Sequence, residues 1–204
     1  MSHFLPIDIN KFSFYEREKD SSGKYIKNKC WRDYFYYALH YLKPGEFNIN
    51  HCPPIELEGK LGFRFSPVLA WTTLQFVRHQ KFLKENNLAL SVNGYRVNSW
   101  LNFFWYVISN LYVSKSKREK LLQYAIESVG SNEAVGLDIG MNYLNTLDHV
   151  MFVQGFDDNF FYIFDTRTIP GIKYERIHDT YPIYKIAINE VRKRILRVWL
   201  VENK

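Results

Sequence analysis

Apolar positions along the chain change period about two thirds of the way through. From Cys30 the run CWRDYFYYALHYLK spaces Trp31, Tyr34, Phe35, Ala38, Leu39 and Leu42 three and four apart, which lines one face of a helix until Pro44 and Gly45 stop it. Further helices are expected from about Pro67 to Glu85, with Pro67 suited to the first turn, across Ser99 to Tyr112, and over SKREKLLQYAIESVG, which ends at Gly130. Between them, Pro44 to Ser66 is rich in Pro and Gly and reads as an extended connection, with a short strand at LGFRF. After residue 130 the runs shorten. AVGLDIG, DHVMFVQGF, NFFYIFDT and ILRVWLVEN are β-branched or aromatic and bounded by Gly, Asp and Asn, the pattern of strands. Helices first and strands later predict an α+β domain, with a helical N-terminal half packed on an antiparallel sheet from the C-terminal half.

The expected organisation is one domain over 1–204: an N-terminal segment at 1–29, a mainly helical half at 30–130 and a mainly β half at 131–204. At 204 residues and 47% hydrophobic, the chain can bury one sizeable core. No apolar run reaches the roughly 20 residues of a membrane-spanning helix, and MSHFLPIDINKF lacks the pattern of a secretory signal. A cytoplasmic location with no membrane partner is the expectation.

The strands around residue 157 carry the most chemistry. Asp157, Asp158 and Asn159 form a turn between DHVMFVQG and FFYIFD, so the two runs should make a hairpin. An odd-membered loop centred on Asp157 sets His149 directly across from Asp165, with Cβ atoms about 4.5 to 5.5 Å apart. An even-membered loop shifts the register by one and moves the pair out of line. An imidazole held at one nitrogen by a carboxylate can take a proton at the other, as a general base must. Asp148, next to His149 on the strand, points to the opposite face and reads as a neighbour, not the orienting acid.

Two cysteines, Cys30 and Cys52, are too few for a multi-cysteine zinc site, and their spacing alone leaves a disulfide open. Cys30 is the candidate nucleophile. It stands where a polar loop gives way to a helix, and the N–H groups exposed at a helix start favour a thiolate. Cys52, before Pro53 and Pro54, reads as structural or exposed, and its neighbour His51 gains nothing from adjacency. His40, His79 and His178 have no companion at metal-ligand spacing and read as surface or packing residues; no metal or cofactor is expected.

These residues carry a resemblance. Cys30-Trp31 opening an aromatic helix resembles the active-site helix of papain-like cysteine peptidases, and Asp148-His149-Val150 through Gly155-Phe156 resembles their histidine strand. The sixteen-residue step from His149 to Asp165 matches the family's third catalytic position, where Asp followed by Thr166 is closer to the bacteriocin-processing type than to plant papains. The chain is also similar to the acyltransferase domain of butirosin biosynthesis, in its cysteine-led helix, in Gly62-Phe63 and in the Asp138 strand GLDIGMNYL ahead of the histidine. The resemblance implies a papain-like fold and a Cys30-His149-Asp165 triad that attacks a peptide or acyl-thioester substrate through an acyl-cysteine. Hydrolysis makes it a cysteine peptidase or amidase, and an amine acceptor makes it an acyltransferase. One departure stands out: papain-like enzymes carry an oxyanion-binding Gln about six residues before the cysteine, where this chain has Lys24. Asn28 is the nearest amide, a weak oxyanion candidate beside the backbone N–H of Cys30, and the missing Gln leaves open an inactive papain-like binding protein.

Charge adds one question. The chain has 27 Lys and Arg against 21 Asp and Glu, a formal +6. The basic residues gather in KSKREK at 115–120 and in Arg192, Lys193, Arg194 and Arg197, without a nucleic-acid motif. A solvated helix face is the expectation, and a nucleic-acid partner is not. Oligomeric state is not written in the sequence.

Overall fold

A computed structural model describes residues 2–12, 14, 30–44, 80–95, 113–141, 148–165 and 171–203. The expected helix at 99–112 and the strand at LGFRF lie outside these residues. Of the helix expected to end at Glu85, residues 80–85 are described and are helical.

The fold is α+β. Strands β1 (His3–Phe4), β2 (Leu90–Tyr95), β3 (Ala134–Gly140), β4 (Asp148–Phe156), β5 (Phe160–Phe164), β6 (Tyr174–Arg176), β7 (Ile183–Ala187) and β8 (Ile195–Asn203) form one sheet in the order β2-β8-β3-β4-β5-β7-β6. Every pairing is antiparallel, and β1 adds to the far end of β4. The sheet therefore draws strands from both halves of the chain, since β1 and β2 precede the expected β half. Helices α1 (Cys30–Leu42) and α2 (Lys115–Gly130) and the short α3 (Ile188–Arg194) pack on this sheet.

Helix α1 packs on β3, β4 and β8. Its expected stripe is buried at Tyr34, Phe35, Ala38 and Leu39, but so is everything from Asp33 to Leu39. The helix is enclosed rather than half-solvated. Phe152 and Phe164 of the sheet lie on one side of Tyr37, with ring centroids 6.1 and 5.7 Å away. The N-terminal segment closes over the same rings, Phe12 stacking on Tyr37 and Phe14 on Tyr181, while Phe35 meets Phe82. Burying each such ring contributes roughly 1.5 to 3 kcal/mol. Tyr34 and Tyr37 are thus core residues. Tyr34 donates its hydroxyl to the carbonyl of Ala134 at 2.9 Å, and burial, with the charge of Glu202 behind it, pushes its pKa well up and keeps the phenol neutral.

The close approach of α1 to the sheet requires Gly136. A Cβ at that position would lie 2.7 to 2.9 Å from three ring atoms of Tyr34, closer than carbon atoms can sit. Helix α2 starts at the cap Ser114, whose side chain accepts from the Lys117 N–H. It ends where Asn132 takes a left-handed conformation, φ 61°, and Leu121, Leu122, Ala125 and Val129 are its buried side.

A candidate thiol, imidazole and carboxylate site

The hairpin joins as expected, but with a different register. Phe156 pairs with Phe161, so four residues, 157–160, form the connection. The loop is even-membered, and the expected direct opposition of His149 and Asp165 does not occur. Asp157 organises the turn. Its Oδ1 accepts from the N–H groups of Asn159 and Phe160 at 2.8 and 2.7 Å, and its Oδ2 from the Tyr162 hydroxyl at 2.7 Å. These bonds hold the Asp157 carboxyl below its usual pKa.

A β-bulge then changes the outcome. Gly155 pairs with Tyr162 and Val153 with Ile163, so Gln154 is the extra residue that the ladder skips. Past the bulge Phe152 pairs with Phe164, and continuing that register sets Asp165 across from Met151, two residues from His149 along the strand. Residues two apart on a strand share a face, so His149 and Asp165 are diagonal neighbours. Regular pairing throughout would have set Asp165 across from Phe152, on the other face from His149. Gly155, in turn, admits β1: a Cβ there would meet the His3 carbonyl oxygen at 2.6 Å.

The diagonal is closed by a hydrogen bond. His149 Nε2 lies 2.8 Å from Asp165 Oδ2, and each side chain is 4% exposed. Asp165 is further fixed by its backbone N–H, which donates to the Pro182 carbonyl at 3.1 Å. Cys30, a half-buried free thiol and the first residue of α1, lies within hydrogen-bonding reach of the same imidazole. With Nε2 committed to Asp165, Nδ1 is the ring nitrogen left for the sulfur. Cys30 opens its helix and His149 is the second residue of β4, so both functional groups stand at the ends of their elements.

Burial alone would lower the His149 pKa, because a low-dielectric site disfavours a charged ring. The neighbouring Asp165 charge and its hydrogen bond, followed by the hydrogen bond and charge of Cys30, outweigh it and raise the pKa well above the usual histidine value. The shift favours the charged form of the ring. A protonated imidazole beside a sulfur can donate its proton to a leaving group.

Asn28, Lys24, His51, Cys52, Gly62, Phe63 and His79 lie outside the described residues. His40 packs on Tyr36 and Phe12, and His178 Nδ1 accepts from the N–H groups of Thr180 and Tyr181. Among the described residues, no group of three or more His, Cys, Asp or Glu side chains could hold a metal ion.

One buried polar group escaped the sequence reading. Arg197, grouped there with a solvated basic cluster, is instead a β8 residue, 4% exposed, whose Nη1 lies 2.7 Å from Oδ2 of the fully buried Asp138. Trp199 Nε1 donates to the same oxygen at 3.2 Å. The signal was available: ILRVWLVEN sets Arg197 and Trp199 on one face, and the neighbouring strand GLDIG carries an acid at its centre. A charge inside an apolar strand needs a partner on the next one.

No protein-family model matches the chain, and no curated protein matches it. Among the described residues, no helix is long and apolar enough to cross a membrane.

Proposed function

We propose that this protein is a papain-like thiol enzyme that transfers acyl groups through Cys30, acting as a cysteine peptidase or amidase. One observation carries the reading: a buried imidazole bonded to a carboxylate at 2.8 Å, with a free thiol in reach of the same ring. In this reading the Cys30 thiolate attacks the carbonyl carbon of an amide or thioester, forming a C–S bond. The carbonyl oxygen takes the negative charge and is met by the backbone N–H of Cys30 at the start of α1. Collapse of that intermediate breaks the bond to the leaving group, which takes the proton from His149 Nδ1. Asp165 keeps Nε2 protonated and the ring aimed at the sulfur. The now neutral imidazole then removes a proton from water, which attacks the acyl-cysteine and restores the thiol site. An amine in place of water makes the same site an acyltransferase.

The test is a trapped intermediate. Mixing the protein with a small acyl thioester and quenching in acid should give a mass increase equal to the acyl group on the peptide containing Cys30, absent in Cys30→Ala. Release by water supports the hydrolase, and faster release by added amines supports the transferase. A folded protein that never acylates, and whose thiol reacts with iodoacetamide at the same rate after His149→Ala, would leave the inactive binding-protein reading in its place.

A further inference from the structure

The two basic clusters of the sequence, 115–120 and 192–194, meet in the fold where α2 and α3 touch. Helices α2 and α3 pack together, and Arg192 Nε lies 3.2 Å from both carboxylate oxygens of Glu119. The surface around this contact carries Lys115, Lys117, Lys120, Arg192, Lys193 and Arg194 against Glu119 and Glu190, while Arg118 is half-buried beside it. Six cations and two carboxylates leave a local +4. Glu119 pairs with Arg192, and Glu190 with Lys193 and Arg194. Lys115, Lys117 and Lys120 are exposed and have no ion-pair partner among the described residues. They occupy the first turns of α2, where the helix dipole is positive and no acid stands in the first turn. Cations there work against helix stability, and a local cost of that kind is expected where a surface serves a ligand.

Topology puts this face at the same end of the sheet as the candidate site. Only residues 131–133 separate α2 from β3, on which it packs, so α2 runs back along the strand and begins near the end where β3 finishes. Helix α3 leads straight into Ile195, which pairs with Ile139, which pairs with His149. Ile195, the residue after α3, thus lies in the row that holds the imidazole, its backbone about 10 Å from that of His149 by two strand spacings.

We propose that this α2/α3 face docks an acidic polypeptide, and that the acyl group acted on at Cys30 is presented by such a chain. Carboxylates spaced along a peptide suit a surface where Glu119 and Glu190 interrupt the cations. A nucleic-acid backbone calls for an unbroken positive track, often with stacking rings, and neither 115–120 nor 188–194 holds an aromatic residue. The chemistry in this proposal rests on the acyl-transfer reading; the docking does not.

The experiment measures anisotropy of a fluorescein-labelled Glu/Ser-rich peptide with the full-length Cys30→Ala protein, against a Lys/Ser-rich peptide and a DNA duplex. The acidic peptide is expected to bind with an affinity that falls as salt rises, and reversing Lys115, Lys117 and Lys120 to Glu to weaken it by about tenfold or more. In the Cys30 protein that triple variant should keep its wild-type iodoacetamide rate, which shows the fold and site intact. Absence of peptide binding, binding unchanged by the reversal, or tighter capture of the duplex would each overturn the docking proposal. Docking retained by a protein that never acylates would remove the catalytic reading alone.

Discussion

Replacing Asp165 by Asn keeps the shape of the side chain and an oxygen facing the ring, but removes the charge. In the native protein the His149 pKa is raised above its unfolded value, so the pair contributes its full stabilisation below about pH 6.5, the ordinary histidine value. That contribution is lost as pH rises through the higher folded value. In Asp165→Asn the burial that opposes protonation has lost its main counterweight, and the ring sheds its proton at lower pH than in the native chain. At pH 6 the variant therefore exchanges a charge-assisted bond between two side chains 4% exposed for a neutral one. Charged hydrogen bonds contribute about 1.5 to 3 kcal/mol and neutral ones about 0.5 to 1.5, and the variant must also neutralise a ring that is protonated in the unfolded chain. The expected loss is about 2 to 3 kcal/mol at pH 6, shrinking to about 1 kcal/mol or less in alkaline solution. Urea unfolding followed by tryptophan fluorescence at several pH values from 6 to 9.5 measures it. A difference that is flat across that range, or that grows with pH, would refute the assignment of a protonated His149.

Three further outcomes follow from particular contacts. Gly136→Ala should cost about 1 to 3 kcal/mol in urea unfolding, because the Tyr34 ring that the new methyl meets is anchored through its hydroxyl; a cost near zero would show that α1 can lift from the sheet. His149→Ala should slow iodoacetamide labelling of Cys30 at pH 6 to 7 by an order of magnitude or more, and an unchanged rate would separate the thiol from the imidazole. Deleting Gln154 removes the residue the ladder skips and leaves Val153–Ile163 and Gly155–Tyr162 as consecutive pairs. Fast labelling of Cys30 should persist, and its loss in a variant that unfolds cooperatively would contradict the diagonal geometry.

Elements with a strong period were legible from sequence. AVGLDIG, DHVMFVQGF and ILRVWLVEN are β3, β4 and β8 to the residue, and α1 begins at Cys30 as expected. The weakly patterned elements were not. β1 has two residues and β6 three, too short for any alternation to register, and LSVNGY carries an Asn-Gly pair that reads as a turn although it forms β2. Helix α3 has seven residues, two of them the β-branched Ile188 and Val191, and takes its place from packing on α2 and β7 rather than from its own period. For the site, residue type and proximity were readable, because a histidine and a carboxylate on adjacent hairpin strands have few places to go. The register was not readable, since it depends on a four-residue turn and a bulge whose effects on alternation cancel. Enclosure of α1 was equally hidden: a stripe of apolar residues announces one buried side, while Tyr36 and Tyr37 are amphipathic enough to sit in either setting.

That bulge bears on how relatives of this chain should be sought. The interval between the imidazole and its carboxylate holds one position with no counterpart on the facing strand, so fifteen residues would do the same work as sixteen. A signature that counts the interval rigidly would pass over proteins with the same arrangement; one that tolerates a single gap just ahead of the glycine would retain them.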